Sequence, residues 1–254
     1  MKIGFPNNPR KNIYKELEWI GINGFDFVDL FLEKDEAVPE KINSNKLRAI
    51  LDKHNLNAIG HTAYYLPIGS SVKILRDLTI KETERYFKVF QELGIKFVTI
   101  HANWPIDLFT GQEGINFQAH TLRQLIKKAR KYNLVLMYEP IDTDKDTLEN
   151  ISKVLDKVPS LFLHLDIGHC NLSNRSPADF IEKFNKKIKH IHVHDNDGTT
   201  DQHLPIGKGN INWEETIRVL KKYYDGTITL EVFVDDKKEV LESKNILKKL
   251  WAEA

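Results

Sequence analysis

The chain has 254 residues, the length of one α/β barrel or two small domains, and its 41% hydrophobic and 29% charged content is ordinary for a soluble globular enzyme. With 37 basic against 36 acidic residues the net charge is +1, so bulk charge provides no attraction for a polyanion. The single cysteine, Cys170, excludes an intramolecular disulfide, no apolar run approaches the ~20 residues of a membrane span, and Met1-Lys-Ile-Gly-Phe5 lacks the apolar core of a signal peptide; a cytoplasmic protein with no membrane partner is expected.

Short apolar runs rich in Val, Ile and Phe alternate with amphipathic stretches along the whole chain. A strand over 3–5 precedes a helical pattern over 16–20, and a strand over 25–30 precedes one over 47–51. Strand 57–60 is followed by helix 86–93, strand 97–100 by helix 122–129, and strand 135–138 by helix 151–155. Strand 161–165 leads to helix 180–184, which Ser176 and Pro177 announce as a cap and a first helical residue. Strand 188–193 precedes helix 217–220, and strand 228–232 precedes helix 240–250. Eight strands and eight helices in strict alternation predict a (β/α)8 barrel. No linker or break in composition interrupts them, so residues 1–254 read as one domain. The first strand runs into Gly4-Phe-Pro-Asn-Asn8, which is not the phosphate-binding glycine loop of a doubly wound sheet. The long non-periodic stretches 66–72, 104–114 and 195–212 all follow strands, where this fold builds its active face.

The most informative segment begins at His192, where an apolar strand runs into His192-Val-His-Asp-Asn-Asp-Gly198 and then a loop holding Asp201 and His203. Similar groups close the other strands. His61 follows the third, His101 closes the fourth, Glu139 the fifth and Asp166 the sixth, with His169 three residues on; Glu231 lies at the end of the eighth. Imidazole and carboxylate are ligands for zinc, manganese, cobalt or iron. One such residue at a strand end is ordinarily a cap or a satisfied polar group. Nine on one face of a barrel predict a divalent-metal site, because charge at apolar strand ends is costly unless paired or metal-bound. His54 and His120 read as helix-surface residues, His164 as facing either the core or the helix layer, and His190 as lying deeper in the barrel than His192. His194 reads as a support or substrate contact, and Cys170 as a small buried residue.

Leu165-Asp-Ile-Gly-His169, the stretch from His192 to Asp195, and Asp201-Gln-His-Leu-Pro-Ile-Gly-Lys-Gly209 resemble the xylose-isomerase-like barrel superfamily, and the resemblance covers the whole chain. Two branches of it fit. In the sugar epimerase branch one divalent ion is held by positions matching Glu139, Asp166, His192 and Glu231. The resemblance makes Glu139 and Glu231 the acid/base pair on either side of the substrate, with His169 orienting the sugar. In the zinc-dependent endonuclease IV branch three ions are held by His61, His101, Glu139, Asp166, His169, His192, Asp201, His203 and Glu231, and Tyr64 is also similar. Two features depart from the nuclease: Pro140-Ile141 after Glu139, and the acidic Asp195-Asn-Asp-Gly198 where a phosphate backbone would pass. Arg175, Lys208 and the Trp104 loop are the candidates for phosphate contacts and a nucleotide wedge.

The expectation is a metal-dependent sugar or sugar-phosphate isomerase or epimerase, with nucleic acid a partner only in the alternative, a trinuclear phosphodiesterase or abasic-site nuclease. Tyr64, Tyr65, Trp104 and His194 are the expected pocket wall and substrate contacts, and Lys208 is the candidate for a substrate phosphate. The intact ligand set argues against a non-catalytic relic.

Overall fold

The computed structural model describes residues 1–141 and 144–254, with Asn174 described by its backbone alone. Eight parallel strands close into a barrel in sequence order: β1 (Lys2–Pro6), β2 (Phe27–Leu32), β3 (Asn57–Thr62), β4 (Phe97–His101), β5 (Val135–Glu139), β6 (Phe162–Asp166), β7 (Ile188–Val193) and β8 (Thr227–Leu230). The ring shuts where β8 pairs with β1, Lys2 opposite Thr227 and Gly4 opposite Thr229. The expected (β/α)8 barrel is the observed one.

Among the described residues nine α-helices surround it: α1 (Ile13–Ile22), α2 (Ser44–His54), α3 (Lys73–Glu92), α4 (Gly111–Lys131), α5 (Leu148–Lys157), α6 (Ile167–Asn171), α7 (Pro177–Phe184), α8 (Trp213–Tyr223) and α9 (Lys237–Glu253). The ninth, α6, is a short helix directly after β6, where Asp166 accepts a hydrogen bond from the His169 amide as N-cap. Periodicity does not detect so short a helix. The pattern over 86–93 is the last part of the longer α3. The stretch over 104–114 is not all loop, because the Thr110–Glu113 capping box starts α4 at Gly111. Ser176 and Pro177 open α7 as expected.

Strand β2 sits two residues later than the predicted 25–30. Phe25 instead joins Phe5 and Trp19 in an aromatic cluster, with ring centroids 5.4 and 5.9 Å away. That shift carries Phe31, and after it Glu33, toward the carboxyl end of the barrel. Strand β8 ends at Leu230, but Glu231 extends the ladder by donating its amide to the Val193 carbonyl at 3.0 Å.

The barrel lumen changes character along its axis. At the amino end Phe27, Ile59 and Met137 pack with Phe97 and Phe162 as an apolar plug, separate from the large core between strands and helices. Above it the side chains are polar yet fully buried: Asp29, Thr99, His164 and His190. A polar layer inside a barrel is held by the pairing of its members, and here Asp29 Oδ1 and His164 Nε2 are the atoms left without a hydrogen-bond partner. Thr99 Oγ1 meets His164 Nδ1 at 3.0 Å, and Asp29 Oδ2 meets His190 Nε2 at 3.1 Å. His164 therefore points into the lumen, and His190 lies beneath His192 as expected.

Candidate metal centre

Strands β3 to β8 deliver their terminal histidines and carboxylates to one mouth. Glu139 is the hub. Its Oε2 lies 3.1 Å from His61 Nε2, 3.0 Å from His101 Nε2 and 3.2 Å from His164 Nδ1, while Oε1 lies 3.6 Å from His192 Nδ1. His192 Nδ1 also faces Glu231 Oε2 at 2.9 Å and Asp166 Oδ2 at 3.8 Å. A third cluster lies beside it: His194 Nε2 is 3.1 Å from Asp166 Oδ1, and Asp201 Oδ2 is 3.4 Å from His169 Nε2 and 3.0 Å from His203 Nε2. All nine positions expected as ligands are thus brought together. Eight of them are buried or half-buried, and Asp201 is the most open.

The hydrogen bonds behind the imidazoles decide which nitrogens are free. A carbonyl oxygen only accepts, so His169 Nδ1–H donates to Pro140 and His203 Nδ1–H donates to Glu231, leaving Nε2 of each as the nitrogen that faces the cluster. On His192 the Nε2–H donates to Asp29 Oδ2 at 2.6 Å, which turns Nδ1 toward Glu139, Asp166 and Glu231. Asp29 was not singled out in the sequence. It is the only acid in β2, and both faces of that strand are apolar, so no alternation marks which residues point inward.

The electrostatics are those of carboxylates held by protons. Burial alone would raise the Glu139 carboxyl, but the imidazoles of His164, His101 and His192 outweigh it and hold it well below the carboxylate range. Asp166 is likewise held down, against burial, by His169 and His194. Burial opposes charge on His192, yet Glu231 and Glu139 push its imidazole well above the usual range. A divalent cation can replace such protons. The fit is supported by geometry: Asp166 Oδ2 is buried with no hydrogen-bond partner, and Asp166, His192 and Glu231 present ligand atoms within 4.8 Å of one another. His61, Glu139, His164 and His192 form a second such group, and Asp166, His169 and His194 a third.

The expected substrate contacts fall into different places. Tyr64 and Tyr65 are exposed at the mouth after β3, and the Tyr64 ring lies 6.3 Å from that of His101. Trp104 is half-buried, its indole N–H donating to Asp146 at 2.8 Å. His194 is fully buried and stacks on His203 at 4.1 Å, so it belongs with the ligand cluster rather than on the pocket surface. Lys208 is exposed on the loop between β7 and α8, and no hydrogen bond or ion pair joins its side chain to the cluster among the described residues. Arg175 is committed to the carbonyls of Leu172, Asp146 and His169 and is not available to a phosphate.

Asp195 does not add acid to the pocket as the sequence suggested. It is completely buried and accepts from the amides of Asn196, Gly207 and Ile211 and from the Trp213 indole at 2.8–3.3 Å. It braces the loop that carries Asp201 and His203. Asp195→Ala leaves these donors without a partner and is expected to lower the unfolding midpoint by roughly 5–10 °C. A midpoint within a degree of wild type in a thermal melt would refute that role.

One further acid at the mouth escaped the sequence reading. Glu33, just past β2, is only 8% exposed. Burial pushes its carboxyl up to about 6, with Glu231 and Glu139 adding to the effect against the opposing pull of His61.

A closed parallel barrel with imidazoles and carboxylates gathered at its carboxyl mouth defines a recognisable class of proteins. The sequence profile of the xylose isomerase-like TIM barrel matches residues 17–250, and the chain belongs to that family. It is 28% identical over 251 residues to an uncharacterized protein of Methanocaldococcus jannaschii, covering 94% of this chain and 84% of that one. It is 26% identical over 230 residues to the fructoselysine 3-epimerase of Escherichia coli O157:H7, covering 82% and 81%. Among solved structures, a D-tagatose 3-epimerase-like protein superposes with a TM-score of 0.90 at 26% identity, over 100% of this chain and 98% of the other. No helix among the described residues is long and apolar enough to cross a membrane.

Proposed function

We propose that the protein is a divalent-metal-dependent sugar epimerase. The observation that carries this reading is the convergence of Glu139, Asp166 and Glu231 on His192 Nδ1, at 3.6, 3.8 and 2.9 Å, from four successive strands. Three carboxylates and one imidazole are a suitable set for one hard divalent ion, and a fructoselysine 3-epimerase is among the relatives.

The ion, when bound, supplies polarisation of the substrate carbonyl and so acidifies the adjacent C–H. Glu139 on β5 and Glu231 after β8 flank the donors of β6 and β7, so they address a substrate from two sides. One carboxylate takes the proton from the carbon beside the carbonyl, and the C–H electron pair moves into that carbon–carbonyl bond. The other glutamate, protonated as the carboxylic acid, delivers its proton to the opposite face, and configuration inverts with no net change in atoms as the pair exchange protonation states. His169, fixed by Pro140, orients the sugar, and Tyr64, Tyr65 and Trp104 wall the pocket.

A second reading has a specific observation behind it. His61 and His101 on Glu139, and His169 and His203 on Asp201, extend the cluster beyond what one ion requires. That arrangement favours a multinuclear phosphodiesterase of the endonuclease IV type. The commitment of Arg175 to backbone carbonyls counts against it.

Metal content per chain, by elemental mass spectrometry on protein purified without added metal, separates the two. One manganese, cobalt or iron equivalent, with C3 epimerisation of keto-sugars lost on chelation, is the expected result. Two or three zinc ions with cleavage of abasic DNA and no sugar turnover would transfer the assignment to the hydrolase.

A further inference from the structure

The acids of this barrel divide sharply by their partners. Asp29, Glu139, Asp166, Asp201 and Glu231 each lie against one or more imidazoles. Glu33 has no cationic side chain in ion-pair contact among the described residues. The Tyr64 backbone approaches the Glu33 carboxylate and favours its charged form. Its oxygens also fall outside every group of donors close enough to share an ion. It therefore neither braces a histidine nor completes a ligand set.

Its place is set by the pleat of β2. Side chains two apart share a face. Phe27 lies in the plug, Asp29 braces His192, and Phe31 stacks on His61 with ring centroids 4.0 Å apart. Glu33 is the next position in that series and stands at the mouth, above the stacked rings. Tyr64 and Tyr65 follow β3, the strand paired with β2, and their exposed rings pack edge to face at 5.3 Å. An unpaired carboxylate beside open aromatic faces is suited to a polyol: hydroxyls donate to the oxygens while the C–H face of the sugar lies on a ring. A phosphate placed there would meet repulsion from a buried carboxylate that no cationic side chain contacts.

We propose that Glu33 receives hydroxyl groups of the substrate and selects an uncharged keto-sugar over its phosphorylated counterpart. This deepens the epimerase reading and rests on it. Glu33 is a substrate-binding residue here, not a ligand of the ion.

The test compares wild type with Glu33→Gln and Glu33→Asp on D-fructose, D-tagatose, D-psicose and their 6-phosphates, with metal content measured in parallel. Wild type is expected to prefer the neutral sugars. Glu33→Gln is expected to raise KM for them by about tenfold, with kcat little changed and metal stoichiometry intact. Its preference moves toward the phosphates, whereas Glu33→Asp keeps the wild-type preference. A KM unchanged in Glu33→Gln overturns the inference while leaving the epimerase reading standing. So does a loss of bound metal that accounts for the change, since Glu33 would then support the ion. A wild-type protein that turns over no keto-sugar overturns the epimerase reading, and this inference falls with it.

Discussion

Glu139→Gln is expected to abolish epimerisation, by at least about 10³-fold in kcat/KM, while the barrel stays folded. The substitution keeps the shape of the side chain but removes its charge and its ability to take a proton. It does so at the point where His61, His101, His164 and His192 all converge. Four imidazoles arranged around one carboxylate are left facing a neutral amide, so bound metal should fall together with turnover. Far-UV circular dichroism and a thermal melt check the fold, and elemental analysis checks the ion. Activity within tenfold of wild type would remove Glu139 from the mechanism.

The second large effect is expected at Asp29, which is fully buried beneath His192. Its Oδ2 meets His192 Nε2 at 2.6 Å, His190 Nε2 at 3.1 Å and the Thr229 hydroxyl at 3.0 Å. That one oxygen fixes the orientation and basicity of the His192 ring. Asp29→Asn is expected to weaken metal affinity by about 10–100-fold, the usual consequence of removing the carboxylate behind a ligand histidine. Excess metal is expected to restore most of the turnover, because Glu139 and Glu231 are untouched. That rescue distinguishes a positioning role from a structural one. Lost activity that saturating metal does not recover would show that Asp29 does something other than hold His192.

The barrel and the donor set were legible because the fold places functional groups at strand ends. His101, Glu139 and Asp166 each close an apolar run, and a polar group there stands out against its neighbours. Asp29, His164 and Glu33 were harder for a common reason. Strands of a parallel barrel are covered on both sides, so Val28, Leu30 and Leu32 on the helix side are as apolar as Phe27 and Phe31 in the lumen. Without alternation the sequence does not tell which way Asp29 points, and Glu33 resembles any loop acid until its burial is known. Asp195 misled in the opposite direction. Its position in an acidic run suggested a pocket charge, whereas its side chain is enclosed by the amides of its own loop. The clustering of histidines and acids after the sixth and seventh strands marked His169, Asp201 and His203, and the loop that carries the last two is braced by Asp195.

Glu231, the final ligand position, follows the strand that seals the ring against β1. The donors it joins begin at His61, so any segment that stops short of Glu231 lacks part of the set. An ion held by Glu139, Asp166, His192 and Glu231 would fasten the last strand to the middle of the chain, bridging distant segments as a covalent cross-link does. With such an ion, assembly of the mouth and closure of the barrel would be coupled, and each would stabilise the other.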